Sequence, residues 1–321
     1  MVVITGSAGF IGSCLVSKFN SEAISDLILV DDFSKHEKDE NSVGKKLSKK
    51  IERFEFIDWF EKNYKDVDHI IHIGARTDTT EFNVEIFNEL NLNYTKALWT
   101  ICAEKNIPFI YASSAATYGL GEQGYKDDET KILLLKPLNP YGDSKNDFDK
   151  WAITQKQTPP NWQGLKFFNV YGPNEYHKAR MASVIFHSFH QIKNAGKVKL
   201  FRSHNPNYTD GGQLRDFVYV KDVVNVIWFL YSERPKNGIY NLGSGKARTF
   251  LDLAKATFKA LDIEPNIEFI DTPIDIRHKY QYFTEADMNK LISVGYSKPF
   301  TSLEDGVTDY VKNYLVSTKY L

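Results

Sequence analysis

Short apolar runs punctuate the first half of the chain: VVIT (Val2–Thr5), DLILVD (Asp26–Asp31), HIIHIG (His69–Gly74) and PFIYAS (Pro108–Ser113), separated by longer amphipathic segments. Runs this short and rich in β-branched residues read as strands, and their alternation with helical patterns predicts a parallel, doubly wound α/β sheet. GLKFFNVYG (Gly164–Gly172) is expected to add one more strand. Beyond it the pattern loses regularity. HNPNYTDGGQ (His204–Gln213) reads as a polar, turn-rich insertion and TFLDLAKATFKALD (Thr249–Asp262) as a later helix.

Composition narrows the partners. A chain of 321 residues can bury a large core, in one big domain or two closely joined ones. Its formal net charge of -1 provides no global basic field for nucleic acid or an anionic membrane, so a small molecule is the expected partner. The longest apolar run, VIWFLY (Val226–Tyr231), is too short to span a bilayer, and MVVITG leaves no room for a signal peptide before the first strand. The two cysteines, Cys14 and Cys102, lie in predicted helices without metal-type spacing. Free buried thiols in a reducing cytoplasm are expected, and no metal site. The basic stretch Lys35–Lys50 reads as a solvated loop.

VVITGSAGFIG sets Gly6, Gly9 and Gly12 between an apolar strand and a helical run. Glycines there let the backbone approach a pyrophosphate that the helix N-terminus stabilises, although the G-x-x-G-x-x-G spacing departs from the usual dinucleotide fingerprint. Asp31, at the end of the second predicted strand, stands where a carboxylate reaches an adenosine ribose. Lys35 and Lys38 just beyond would neutralise a 2′-phosphate, so NADP is favoured over NAD. The expected architecture is thus a Rossmann-type doubly wound sheet with a smaller interleaved α/β substrate-binding domain. Residues 1–168 form the dinucleotide-binding part, with chain returns near 215–245, and 169–321 mainly bind substrate.

KPLNPYGDSKNDFDKW (Lys136–Trp151) contains the one Tyr-x-x-x-Lys of the chain, Tyr141 and Lys145. If Pro140 starts a helix, phenol and ammonium share a face one turn apart. Oxidising an alcohol requires a base for the hydroxyl proton while hydride leaves, and a free phenol with a pKa of about 10 is a poor one. Lys145 and a positive nicotinamide ring would lower that value. YASSAATYG supplies Ser113, Ser114 and Thr117 at a strand's C-terminal end, one of which could hold the substrate oxygen.

From the first glycine turn to YNLGSG (Tyr240–Gly245), the chain resembles the extended short-chain dehydrogenase/reductase superfamily. Within it the chain is most similar to the ADP-L-glycero-D-manno-heptose 6-epimerase family, through GARTDTTE (Gly74–Glu81), YASSAATYG, PLNPYGDSK, FFNVYGPNEYHKARMASV (Phe167–Val184), RDFVYVKDV (Arg215–Val223) and YQYFTEADM (Tyr280–Met288). The basic loop and Ser203–Gln213 are longer than in the usual family form. The resemblance implies an isomerase that inverts C6″ of an ADP-sugar through a 6″-keto intermediate, supplying heptose for the lipopolysaccharide inner core. It also implies a homo-oligomer, a homopentamer. Phe10, Ile11, Asp31, Asp32, Lys38, Ile73, Gly74, Ala75, Arg76, Thr77, Asn91, Lys145 and Val170 would join the three glycines around the cofactor. Ser114, Tyr141 and Lys178 would surround the reacting carbon, with Tyr141 and Lys178 also against the cofactor. Asn169, Arg180, His187, Phe201, Arg202, Ser203, His204, Arg215 and Tyr280 would hold the nucleotide sugar.

The residues themselves leave some of these roles open. Arg215 suits a diphosphate through its bidentate fork, or makes a surface ion pair with Asp216. His187 contacts substrate or is a satisfied, partly buried histidine. Arg180 occupies a position where a small polar residue is expected. Lys178 is a second acid/base on the far side of the sugar, or a solvent-facing lysine. Ala115 and Ala116 replace the acidic pair expected of a dehydratase, which argues against elimination. A 4-epimerase of the same superfamily, or a nonenzymatic dinucleotide sensor, are the remaining readings. The sensor would have no need of Tyr141 and Lys145.

Overall fold

The computed structural model describes residues 1–277 and 280–321. The four apolar runs form β1 (Val2–Thr5), β2 (Leu27–Asp31), β4 (His69–His72) and β5 (Phe109–Ser114), between which the short β3 (Lys49–Glu52) is added. Every residue of β1, β2, β4 and β5 is buried, as expected of strands covered by helices on both faces. With β6 (Trp162–Phe167) and the much later β10 (Gly238–Leu242) they make one parallel sheet of order β10-β6-β5-β4-β1-β2-β3. The order reverses between β1 and β4. In such sheets ligands bind outside the strand C-termini at that point.

GLKFFNVYG is two strands rather than one. β6 ends at Phe167, and β7 (Asn169–Tyr171) leaves for a second sheet, where it pairs with β9 (Leu214–Tyr219) and β9 in turn with β11 (Ala247–Thr249). At Phe168 the backbone N–H still bonds to Leu242 of β10, and the side chain is buried in the core. The switch of sheets therefore takes place inside the hydrophobic core. A two-stranded sheet of β8 (Val198–Phe201) and β12 (Ile267–Ile270) completes the set. The helix Phe250–Ala260 begins with a Thr249–Asp252 capping box and packs against Val184–Ala195.

The basic stretch Lys35–Lys50 is largely exposed, as expected, but it is not a loop throughout. It makes a helical turn at His36–Ser42 and ends in the edge strand β3. Asn41 is buried, donating to the carbonyls of Ala8 (2.9 Å) and Asn174 (3.2 Å). Lys45 Nζ donates to Ser17 Oγ (2.5 Å) and the Leu321 carbonyl (2.6 Å). Fixed acceptors within reach bind these side chains in place of water. Cys14 and Cys102 are free and buried. Among the described residues no helix is long and apolar enough to cross a membrane, and no group of three or more His, Cys, Asp or Glu is placed to hold a metal ion.

Candidate active site

β1 opens onto Gly6, whose φ of +67° lies in the left-handed region. Two further constraints exclude side chains here: a Cβ on Gly6 would strike the Gly74 backbone at the end of β4, and one on Gly12 would strike the Gly6 carbonyl. The helix Phe10–Ser21 starts from Gly9 with no side-chain cap, so its first amides are free to meet an anion. This cradle fits a dinucleotide pyrophosphate. It forms one wall of a cleft of about 560 Å³.

At one end of the cleft Asp31 is buried. One carboxylate oxygen accepts the Ala8 amide (2.8 Å), and the other accepts Lys38 Nζ (2.7 Å) and the Asp32 amide (2.8 Å). Lys35 and Arg53 also line this end, Arg53 lying 3.9 Å from Asp32. Arg53 was not legible as a site residue. It follows the unrecognised strand β3, and a charge-rich stretch such as KKIERFEF carried no signal of its direction.

Along the β4 side, Ile73, Gly74, Ala75, Arg76 and Thr77 line the cleft, with His72 behind them. The His72 ring nitrogens lie 2.6 Å from Thr5 Oγ1 and 2.9 Å from Thr95 Oγ1, and burial, then the charge of Lys145, pushes its pKa down to about 3. Asn91, expected on the cofactor, is buried outside the cleft wall. Its amide accepts Arg76 N–H (2.8 Å) and donates to the Arg76 carbonyl (3.0 Å) and Ser144 Oγ (3.0 Å). Its polar groups are spent bracing the loop after β4 against the next element.

That element is the helix Pro140–Ala152, started by Pro140 and capped by Asn139, which accepts the Gly142 amide at 2.8 Å. Phe148 and Trp151 pack edge-on against the buried Trp99 and so set the helix's rotation. Tyr141 is half-buried; burial pushes its phenol pKa up, and the neighbouring Ser114 hydroxyl opposes that. Lys145 is buried and donates to the Ala112 carbonyl at 2.8 Å. Burial brings its pKa down to about 8, with Asp149 opposing. The expected lowering of Tyr141 by Lys145 is therefore not found in the chain alone, because that ammonium is committed to Ala112 and desolvation favours the neutral phenol.

Of the three hydroxyls offered by YASSAATYG, only Ser114 meets Tyr141. Ser113 donates to Asp149 (2.7 Å), while Thr117 donates to the Ser114 carbonyl (2.8 Å) and accepts from Lys166 (2.6 Å). Asp149 and Lys166 form an ion pair of 2.8 Å in which both side chains are buried, with the Tyr111 hydroxyl donating a further bond to Asp149 (3.0 Å). Sequence reasoning missed this pair, although Asp149 lies two helical turns beyond Tyr141 on the same face.

Across the cleft, a turn at Tyr176–Met181 carries Lys178, broken by Ala179 at φ 47°, ψ -125°. Lys178 is half-buried with Nζ 5.4 Å from the Phe10 ring centroid, facing the cleft and not bulk solvent. Burial lowers its pKa and the charge of Glu175 opposes that. Arg180, next along, donates to both carboxylate oxygens of Asp78 (2.9 and 3.1 Å), which joins this turn to the loop after β4.

The remaining residues expected on substrate lie outside this cleft. Arg215 is buried, donates to the Leu214 and Gln281 carbonyls, and lies 5.6 Å from the rings of both Phe250 and Tyr280. Its neighbour Asp216 instead accepts from Ser244, Gly245 and Ala286, so the surface ion pair is not formed. Phe201 packs edge-on to Tyr280 at 6.1 Å. Arg202 (3.3 Å) and the Ser203 amide (2.8 Å) are tied to Asp210, and His204 is exposed. His187 is half-exposed with Nε2 3.3 Å from the Arg180 carbonyl. Asn169 is exposed at the start of β7 and Val170 half-buried beside it. Tyr141, Ser114 and Lys145 are gathered at one place, but they too stand outside the walls of the 560 Å³ cleft.

The model of the NAD dependent epimerase/dehydratase family matches residues 2–243. The chain belongs to that family. Its site is accordingly one for a nicotinamide dinucleotide, in agreement with the glycine cradle. This family member is 49% identical to an ADP-L-glycero-D-manno-heptose-6-epimerase of Fusobacterium nucleatum, over 98% of both chains. It is also 49% identical to one of Nitratidesulfovibrio vulgaris, over 99% of this chain and 98% of that one. Among solved structures it is similar to the ADP-L-glycero-D-manno-heptose-6-epimerase of Helicobacter pylori, with a TM-score of 0.78 at 27% identity, over 97% of this chain and 95% of that one.

Proposed function

We propose that this chain inverts C6″ of ADP-D-glycero-D-manno-heptose to give ADP-L-glycero-D-manno-heptose, an isomerisation in the cytoplasm that supplies heptose for the lipopolysaccharide inner core. The observation that carries this reading is full-length similarity to enzymes of that name at 49% identity, together with two acid/base side chains, Tyr141 and Lys178, on different elements of a dinucleotide fold. When bound, the nicotinamide dinucleotide supplies reversible hydride transfer. Tyr141 holds the proton of the C6″ hydroxyl in one orientation of the sugar, with Ser114 fixing the oxygen. Lys178 holds it in the other, after the 6″-keto sugar has turned. Each group must both take and give a proton. Burial around Lys178 serves this by drawing an ammonium towards neutrality. Lys145 orients the helix face through Ala112.

NADP is the proposed dinucleotide, supported by Lys35, Lys38 and Arg53 beside Asp31 and Asp32. Residues 1–168, with the return of β10, would bind it, and 169–321 mainly the nucleotide sugar, with Arg215, Phe201 and Tyr280 as its pocket. A homo-oligomer, a homopentamer, is proposed from the likeness to these epimerases; light scattering measures it. Incubation with ADP-D-glycero-D-manno-heptose, with C6 configuration followed by NMR, tests the activity. An unchanged spectrum with dinucleotide bound would overturn it.

A further inference from the structure

The turn that carries Lys178 is closed at its base by two residues to which the sequence reading assigned no role. Glu175 is buried, and its carboxylate accepts twice from one residue: one oxygen takes the Ser183 amide at 2.6 Å, the other the Ser183 hydroxyl at 2.6 Å. Ser183 caps the helix Val184–Ala195 by accepting the Phe186 amide at 3.2 Å, so the staple is fixed to a rigid element. Within the stapled span the Lys178 amide donates to the Glu175 carbonyl at 2.9 Å. The next residue, Ala179, has the positive φ that a side chain bearing a Cβ disfavours. A strained residue persists only where its surroundings over-determine it. The other end of the span is tied through Asn174, whose amide donates to Ser13 Oγ at 2.9 Å on the helix that also presents Phe10.

We infer that Glu175 is a positioning residue for Lys178: with Ser183 it staples the turn so that the ammonium is held over Phe10 at the cleft. The inference rests on the reading of Lys178 as the second base. The lysine side chain has four rotatable bonds, so its base action depends on the backbone of its turn being held, and a loosened turn lowers the fraction of productive complexes. The loss therefore falls on turnover and not on dinucleotide or sugar binding.

Two substitutions probe the staple from its two sides. Glu175→Gln keeps an oxygen for the Ser183 amide and offers an NH2 to the hydroxyl, but removes the charge. Ser183→Ala keeps the charge and removes half of the staple, and Ser183→Thr restores the hydroxyl. With ADP-D-glycero-D-manno-heptose as substrate, Glu175→Gln and Ser183→Ala are expected to lower kcat by about tenfold or more, with KM within about threefold and the dinucleotide retained. Ser183→Thr is expected to return kcat to within about threefold of the parent. Parent kcat in both Glu175→Gln and Ser183→Ala would overturn the inference. So would a loss confined to KM or to dinucleotide retention. If Glu175→Gln does not fold, the serine pair decides alone: a low kcat in Ser183→Ala restored by threonine supports the staple, and equal rates in the two overturn it. A parallel Lys178→Met measurement distinguishes the failures. If that variant is inactive while the staple variants are not, only the present inference falls; if it epimerises at the parent rate, the second-base reading falls with it.

Discussion

Lys38 donates to the Asp31 carboxylate at 2.7 Å, so the acid at the end of β2 faces the cleft with its charge already countered. An unpaired carboxylate there would repel a 2′-phosphate, whereas this pair leaves Lys35 and Arg53, the latter 3.9 Å from Asp32, on the same wall to attract one. Lys38→Ala exposes the acid. It is expected to weaken NADP by about tenfold or more, since hydrogen bonds to charged groups are worth about 1.5–3 kcal/mol, and to change NAD by less than about threefold. Fluorescence titration of the two dinucleotides reads the ratio. Equal weakening would remove Lys38 from cofactor choice.

The buried pair Asp149–Lys166 stands behind the Tyr141 face of the helix Pro140–Ala152, with Ser113, Tyr111 and Thr117 completing its hydrogen bonds. Removing one partner of a buried pair leaves the other charge uncompensated, at a cost of about 3–5 kcal/mol. Asp149→Asn is expected to lower unfolding stability by that amount in urea. Asp149→Asn with Lys166→Met should cost less than the sum of the two single changes, because the stranded charge is gone. Additive losses would mean that the two residues do not act as a pair.

Arg180 and Asp78 join the two loops that face each other across the cleft, and Arg180 is 66% exposed. Such a pair is weak and screened by salt. Arg180→Ser is therefore expected to speed dinucleotide dissociation only a few-fold, and at low ionic strength. Parent and variant should converge at about 0.5 M salt, where the Debye length falls to a few Å. Stopped-flow displacement measures both rates, and a difference that persists unchanged at high salt would point to a role other than the ion pair.

The strands β1, β2, β4 and β5 were legible because each is buried on both faces and therefore apolar throughout. β3 was not: KKIE is a four-residue edge strand with only Ile51 buried, and its lysines read as solvent. Gly6 and Gly12 were legible as a turn, but the reason Gly6 must lack a side chain is Gly74, sixty-eight positions on in sequence and adjacent only after β1 and β4 pair. Tyr141 and Lys145 shared a face by helical spacing alone. Asp149–Lys166, Asn91–Arg76 and Glu175–Ser183 did not declare themselves, because each pairs polar residues whose meeting depends on the path of the backbone between them. The burial of Asn41 and the fixed acceptors of Lys45 were hidden for the same reason: in a charged stretch, hydropathy reports the side chain's cost in an apolar site, not the carbonyls waiting to offset it.

The decisive prediction concerns the two proposed bases. Tyr141 belongs to the helix Pro140–Ala152 and Lys178 to the turn Tyr176–Met181, and neither builds the glycine cradle or the Asp31 end of the cleft. Tyr141→Phe and Lys178→Met are therefore expected to retain the dinucleotide at parent level while epimerisation falls. General acid–base catalysis contributes about 10²- to 10⁴-fold, so each single loss should lie in that range, and a change of only a few-fold would be too small for either role. The phenylalanine keeps the ring that lies 6.4 Å from Phe87, so its effect isolates the hydroxyl beside Ser114. NMR of C6 configuration gives the rates, and recovery of dinucleotide from denatured protein gives the occupancy. If Lys178→Met inverts C6″ at the parent rate while Tyr141→Phe does not, one base serves both orientations of the sugar, and the chemistry is that of a single-base epimerase centred on Tyr141.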